Sequence, residues 1–263
     1  MDEKYDKIGI NYNQSRKADP HLVSRLQHFL TPKPGGKYLD IGCGTGNYTV
    51  KIHQEGISFT GVDPSAYMLE KARARSQAIE WLQGKAEELP LSDKSVDGII
   101  ASLTLHHWDS LEKGFSESFR VLQTGSRIVI FTSTPAQMEG YWLNHYFPAM
   151  LKDSIEQMPD LELVESALSN NGFLVKHTEK YFIQPDLQDH FLYVGKHRPH
   201  LYLDAQIRQG ISSFSALANQ AEVKAGLQQL EEDIASGAVQ QHIESYENDL
   251  GDYLLWLRNE YDV

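Results

Sequence analysis

The chain has 263 residues, with 24 Lys and Arg against 36 Asp and Glu for a formal net charge of −12, and 41% of its residues are hydrophobic. That is enough apolar material for a sizeable core, which excludes global disorder. The acidic balance argues against nucleic acid or a membrane surface as partner, since both recruit clustered cations. A single cysteine, Cys43, rules out an intrachain disulfide and a thiolate metal cage, and implies a reducing, cytoplasmic setting. Residues 1–7 lead into no apolar signal core, and no apolar run reaches the roughly 18–20 residues that span a bilayer, so neither a secretory signal nor a membrane anchor is expected.

Asp19-Pro20 starts a helix, with Asp as cap and Pro in the first turn, and Leu22, Val23, Leu26, Phe29 and Leu30 fall on one face of it. Pro32 to Gly36 stop it. A short buried strand is predicted at 38–41, then a glycine turn and a helix at 48–54. Further strands are predicted at 58–62, 78–82, 95–101 and 127–131, with helices at 65–76 and 111–122 between them. Strand–helix alternation at this spacing predicts βαβ units and a parallel sheet. After residue 132 the pattern changes: a helix at 162–169, a strand at 174–183 and a last strand at 253–258. Between those two strands, residues 184–252 look mainly helical. Val223, Leu227, Leu230 and Ile234 give one face of a helix that ends near Gly237. The expected fold is a Rossmann-like, doubly wound α/β sheet of seven mostly parallel strands. Residues 1–183 and 253–263 make its core, and 184–252 make a helical insertion that covers the substrate site.

The sharpest motif is Leu39-Asp40-Ile41-Gly42-Cys43-Gly44-Thr45-Gly46-Asn47, at a strand-to-helix junction. Its glycines permit positive φ and close approach of a ligand to the backbone, and the next helix offers free N–H groups. This is the position at which an open parallel sheet binds nucleotides. A dinucleotide fingerprint needs G-x-G-x-x-G, whereas here the third glycine comes one residue early. Asp63, at the tip of the second strand, suits a ribose diol in either an NAD or an S-adenosylmethionine enzyme, and the glycine spacing with Asp40 favours S-adenosylmethionine. No Gly-Lys-Ser/Thr follows, which excludes a Walker loop.

The chain resembles the class I S-adenosylmethionine-dependent methyltransferases. It is most similar to the small-molecule group with the ubiquinone/menaquinone, malonyl-carrier-protein and trans-aconitate methyltransferases. Five segments carry the resemblance in order: the glycine loop; Gly61-Val62-Asp63-Pro64-Ser65 with Met68; residues 84–91; Ser95-Val96-Asp97; and Leu105-His106-His107-Trp108. The resemblance covers residues 5–132 strongly and the remainder weakly. It implies S-adenosylmethionine as cofactor, with S-adenosylhomocysteine as product and a small molecule as substrate. Gly42, Cys43 and Gly44 would meet the methionine part, and Asp63 the ribose. Pro64, Met68, Ala86 and Glu87 would surround the adenine, and Ser102 and Leu103 would lie beside the sulfonium. Tyr12 and Arg16, on a segment like the family's entrance helix, would close the pocket and pair with the cofactor carboxylate.

His106 and His107 are candidates for a general base or a pocket wall. Adjacent side chains diverge and no third ligand is evident, so no metal site is expected there. The aromatic run 141–147, the cations Lys196 and Arg198 with their neighbouring histidines, and residues 208–214 are expected to meet the substrate. The competing readings are an NAD-type oxidoreductase and a non-catalytic S-adenosylmethionine-binding module. A nucleic-acid methyltransferase is disfavoured by charge and by the absence of an Asn/Asp-Pro-Pro-aromatic motif.

Overall fold

The structure is a computed structural model, and it describes residues 16–260. In chain order, α1 (Pro20–Leu30) precedes β1 (Lys37–Ile41), α2 (Asn47–His53), β2 (Ser58–Asp63), α3 (Ala66–Arg75), β3 (Glu80–Gln83) and β4 (Val96–Ser102). A 3₁₀ turn at Leu105–His107 leads into α4 (Leu111–Val121) and β5 (Leu122–Thr132). Next come α5 (Pro135–Glu139), a 3₁₀ turn at Trp142–His145, α6 (Pro148–Ile155), α7 (Leu161–Asn170) and β6 (Phe173–Tyr181). Beyond β6 lie 3₁₀ turns at Leu192–Gly195 and Pro199–Leu203, α8 (Ala205–Gln209), a π turn at Ser213–Leu217, α9 (Gln220–Ser236) and α10 (Val239–Ser245). The sheet closes with β7 (Tyr253–Glu260).

The seven strands run in the order β3-β2-β1-β4-β5-β7-β6. All pairs from β3 to β5 are parallel, while β7 is antiparallel to both β5 and β6. Strand order reverses between β1 and β4, which opens a crevice at their carboxyl ends. The central strands are apolar on both faces because helices cover both. Ile100, Val129, Phe131 and Leu255 belong to the core under α1, whereas Ile99, Ala101, Ile128, Ile130 and Trp256 belong to the core on the opposite face.

Helix α1 follows the sequence reading closely. Asp19 Oδ1 accepts from the Leu22 N–H at 3.0 Å, Pro20 opens the first turn, and the five expected apolar residues are all buried. Asp19 Oδ2 also accepts from the Gln188 N–H at 3.1 Å, tying the helix start to the segment beyond β6. Helix α9 likewise contains the predicted one-faced run and ends at Gly237, whose φ of 83° supplies the left-handed cap. The strand boundaries shift by one or two residues at β3 (Glu80–Gln83), β4, β6 and β7, and the largest change is β5, which begins at Leu122, immediately after α4. A register shift between Val96 and Gly98 absorbs the extra residues around Gly125.

The segment between β6 and β7 leaves and rejoins the sheet at one place. The Asp252 N–H donates to Tyr181 O at 2.9 Å, and the Asp252 carboxylate accepts from the Ile183 N–H at 2.8 Å. The same carboxylate takes Lys196 Nζ at 2.6 Å on both oxygens.

Candidate functional site

The glycine loop after β1 is shaped by what packs around it. Gly42 has φ +71°, and a Cβ there would stand 2.0 Å from Thr104 Oγ1, so only glycine fits. Gly44 has φ +54° with nothing among the described residues within 4 Å of a would-be Cβ, and it lines the crevice. The loop is tied to the next strand by Asp63, whose Oδ2 accepts from the Gly44 N–H at 2.8 Å and whose Oδ1 accepts from the Ser65 N–H at 2.9 Å. Burial raises the Asp63 pKa, and these two N–H groups oppose the shift.

A cavity of about 270 Å³ opens at the carboxyl ends of β1, β2 and β4. One end is lined by Asp40, Gly42, Cys43, Gly44, Thr45, Asn47, Asp63, Pro64, Met68, Ala86 and Glu87. Ser102, Leu103, His106 and His107 line its middle, and Arg16 lines it as well. All the sequence-predicted site residues among the described residues therefore share one cavity; Tyr12 lies outside the described residues. Leu103 has φ +53°, a left-handed conformation that is strained for leucine, at the bend where β4 meets the cavity. The His106 and His107 rings lie with centroids 3.8 Å apart.

The cavity's acidic groups are unusual. Asp40 is buried and accepts from Thr49 Oγ1 at 2.5 Å. Burial raises its pKa to about 7, with the Thr49 hydrogen bond opposing and the nearby Asp63 carboxylate adding to the rise. Burial, then Asp40 and Asp63, also pushes the Cys43 thiol well up, which disfavours the thiolate a nucleophile needs.

Two expectations are revised, and Arg16 takes a partner that the sequence did not suggest. The Arg16 guanidinium, in the cavity lining, is bound to Asp189, with Nε on Oδ1 and Nη2 on Oδ2 at 3.1 Å. Residues 141–147 are mostly core: Tyr141, Trp142, Leu143, Tyr146 and Phe147 are buried, and none is among the described residues lining the cavity. Their apolar side chains fill the space between α6 and the following turns. The cations at 196–200 do not line the cavity either, because Lys196 is drawn to Asp252 and Arg198 Nη2 donates to Leu187 O.

The sequence reading did not single out Met138, Ser154, Gln157, Met158 and Tyr253, which also line the cavity; Phe191, Leu192, Tyr193, Ile211 to Ser213 and Leu217 join them from residues 184–252, which were expected to face the substrate. They come from α5, α6, the segment beyond β6 and β7. No local motif marks such residues, since they meet only through the fold.

Comparison with known proteins agrees with this geometry. A family model described as "Methyltransferase domain" matches residues 39–130. A solved structure of a candidate methyltransferase from an antibiotic biosynthesis pathway of Anabaena variabilis ATCC 29413 is 34% identical. It superimposes with a TM-score of 0.83 over 94% of this chain and 100% of its own. The demethylmenaquinone methyltransferase of Clavibacter sepedonicus is 30% identical over 166 residues, 55% of this chain and 68% of that protein. The malonyl-[acyl-carrier protein] O-methyltransferase of Pectobacterium atrosepticum is 36% identical over 108 residues, 41% of this chain and 43% of that protein. The matches span about half the length of the first of the curated relatives. On the strength of the full-length structural match and the relative spanned over two thirds of its length, the chain belongs to the methyltransferase-domain family, whose members use S-adenosylmethionine.

Proposed function

We propose that the chain transfers a methyl group from S-adenosylmethionine to an O, C or N atom of a small, uncharged and largely apolar acceptor. The carrying observation is one continuous cavity with two chemically different ends. The glycine-loop end fits the cofactor on three counts. Gly44 leaves open space where a side chain would sit. Thr45 Oγ1 and Asn47 Oδ1 are buried without a hydrogen-bond partner among the described residues. Each Asp63 oxygen accepts one backbone N–H and keeps a lone pair for a ribose hydroxyl. The other end offers thioethers, aliphatic and aromatic walls and serine hydroxyls, and the Arg16 charge is matched by Asp189. A dicarboxylate acceptor, which clustered cations would favour, is therefore not the proposed substrate. Residues 184–252 form the roof of this end in the proposal.

When bound, S-adenosylmethionine supplies a methyl group already activated by its sulfonium, so the protein's task is binding, alignment and exclusion of water. Asp63 and the loop amides hold the nucleoside and amino-acid parts. Pro64, Met68 and Ala86 offer apolar contact to the adenine. Ser102 and Leu103, at the carboxyl end of β4, line the same cavity and would lie beside the sulfonium. An acceptor that enters protonated, such as a phenol or enol, gives its proton to His106 or His107. Tyr193 is unsuited to that role: burial raises its pKa well above the ordinary value, and its hydroxyl donates to Gln137 O at 3.1 Å.

Calorimetry with S-adenosylmethionine and S-adenosylhomocysteine tests the reading, with micromolar binding expected for both. Asp63→Ala should weaken binding about 30-fold, near 2 kcal/mol, the worth of hydrogen bonds to a charged group. Gly44→Ala should weaken binding with only about 1–2 kcal/mol lost from stability, which separates ligand contact from folding. Wild-type protein that binds neither compound would overturn the proposal. Turnover of neutral phenols or enols in preference to dicarboxylates, read as S-adenosylhomocysteine released, tests the acceptor class.

A further inference from the structure

A second group of chemistry-bearing side chains lies away from the cavity. His145 ends the 3₁₀ turn Trp142–His145, Asp233 is on α9 and His242 is on α10. One ligand atom from each lies within 4.8 Å of the others, and none of the three is among the described residues that line the cavity. The two imidazoles are stacked, with centroids 3.7 Å apart and planes 23° apart. His242 Nε2 is 3.4 Å from Asp233 Oδ2, which also accepts from Tyr146 OH at 2.9 Å. Gln229, one helical turn before Asp233, places its side-chain amide 3.0 Å from His145 Nε2.

We propose that His145, Asp233 and His242 bind a divalent first-row cation, with zinc as the best fit, and that this ion clasps α9 and α10 to the turn that follows α5. Two imidazoles and one carboxylate are a donor set that zinc takes in four-coordinate sites, with the fourth position filled by water. Metal–ligand bonds of about 2.0–2.1 Å put tetrahedral donors roughly 3.3 Å apart. The His242 Nε2–Asp233 Oδ2 separation of 3.4 Å already matches that spacing, and the remaining donors, within 4.8 Å of one another on part-buried residues, close by rotation of the rings. The Tyr146 hydroxyl on Asp233 is the outer-shell contact that orients a ligating carboxylate. The site is independent of the methyl-transfer reading and would persist if that reading failed.

The experiment uses the full chain stripped with chelator and titrated with zinc chloride by calorimetry, with Co²⁺ as a spectroscopic probe. One equivalent of zinc is expected to bind at micromolar affinity or better. The thermal midpoint should rise by roughly 5–10 °C at a hundredfold excess over the dissociation constant. Bound Co²⁺ should give the strong visible bands of four-coordinate geometry. His145→Ala, His242→Ala and Asp233→Asn should each weaken binding at least tenfold, with circular dichroism unchanged. His200→Ala, outside the cluster, should leave it intact. Zinc binding weaker than about 100 μM, or tight binding that survives both His145→Ala and His242→Ala, would overturn the proposal.

Discussion

At the tip of β1, Asp40 is held in its protonated form by burial up to about pH 7, although an unfolded chain would release that proton near 3.8. The folded value lies above the unfolded one. The folded chain therefore binds the extra proton between about pH 4 and 7, and this group's contribution to stability falls as pH rises through that window. Asp40→Asn removes the titration while keeping an acceptor for Thr49 Oγ1. Urea midpoints at pH 5 and pH 8 should therefore show the variant gaining on the wild type at the higher pH. An unchanged difference between the two would refute the assignment. The residues around Asp40 were legible in the sequence because glycine spacing and strand-tip carboxylates are local signals. The partner that Arg16 takes was not, because Asp189 is 173 positions away and no spacing rule connects them.

Among the elements, α6 has no capping side chain of its own, since Phe147 occupies its cap position. Glu222, in the first turn of α9, supplies the missing acceptor. Its carboxylate takes the Ala149 N–H at 2.6 Å and the Met150 N–H at 3.1 and 3.3 Å. The charge also complements the positive end of the α6 dipole. Glu222→Ala should cost about 1–2 kcal/mol in chemical denaturation, and Glu222→Gln should recover part of it. A loss below about 0.3 kcal/mol for the alanine variant would contradict this role. The strands and the helices between them were readable because each carries its own period and its own stop signal. The aromatic run 141–147 was not, because aromatic residues in a pocket wall and in a core have the same pattern. Only the packing of α6 and α9 around it decides between the two. The same holds for His145, Asp233 and His242, which three separate elements bring together.

For the whole molecule, Asp189 is the point at which separate parts of the chain converge. It pairs with Arg16, accepts from Tyr48 OH at 3.0 Å and is fully buried. Burial and this carboxylate raise the Tyr48 pKa well above its ordinary value, with Arg16 opposing. Asp189→Ala leaves a guanidinium and a phenol without their acceptor and should cost about 3 kcal/mol, with protease sensitivity appearing around residues 184–191. A cleavage pattern like that of the wild type would rule out the linking role. A different consequence follows from Asp252, where the chain leaves and re-enters the sheet within one cluster of hydrogen bonds. Both ends of the segment between are thus held at one post, while Asp189, Glu222 and Asp233 tie its interior to Tyr48, α6 and Tyr146. The closure entropy of such a loop grows only slowly, by about 0.6 kcal/mol for each doubling of its length. If residues 184–252 roof the substrate side as proposed, a segment grafted from a relative at the Ile183 and Asp252 junctions should change the acceptor preference while S-adenosylhomocysteine binding, read by calorimetry, stays as it was.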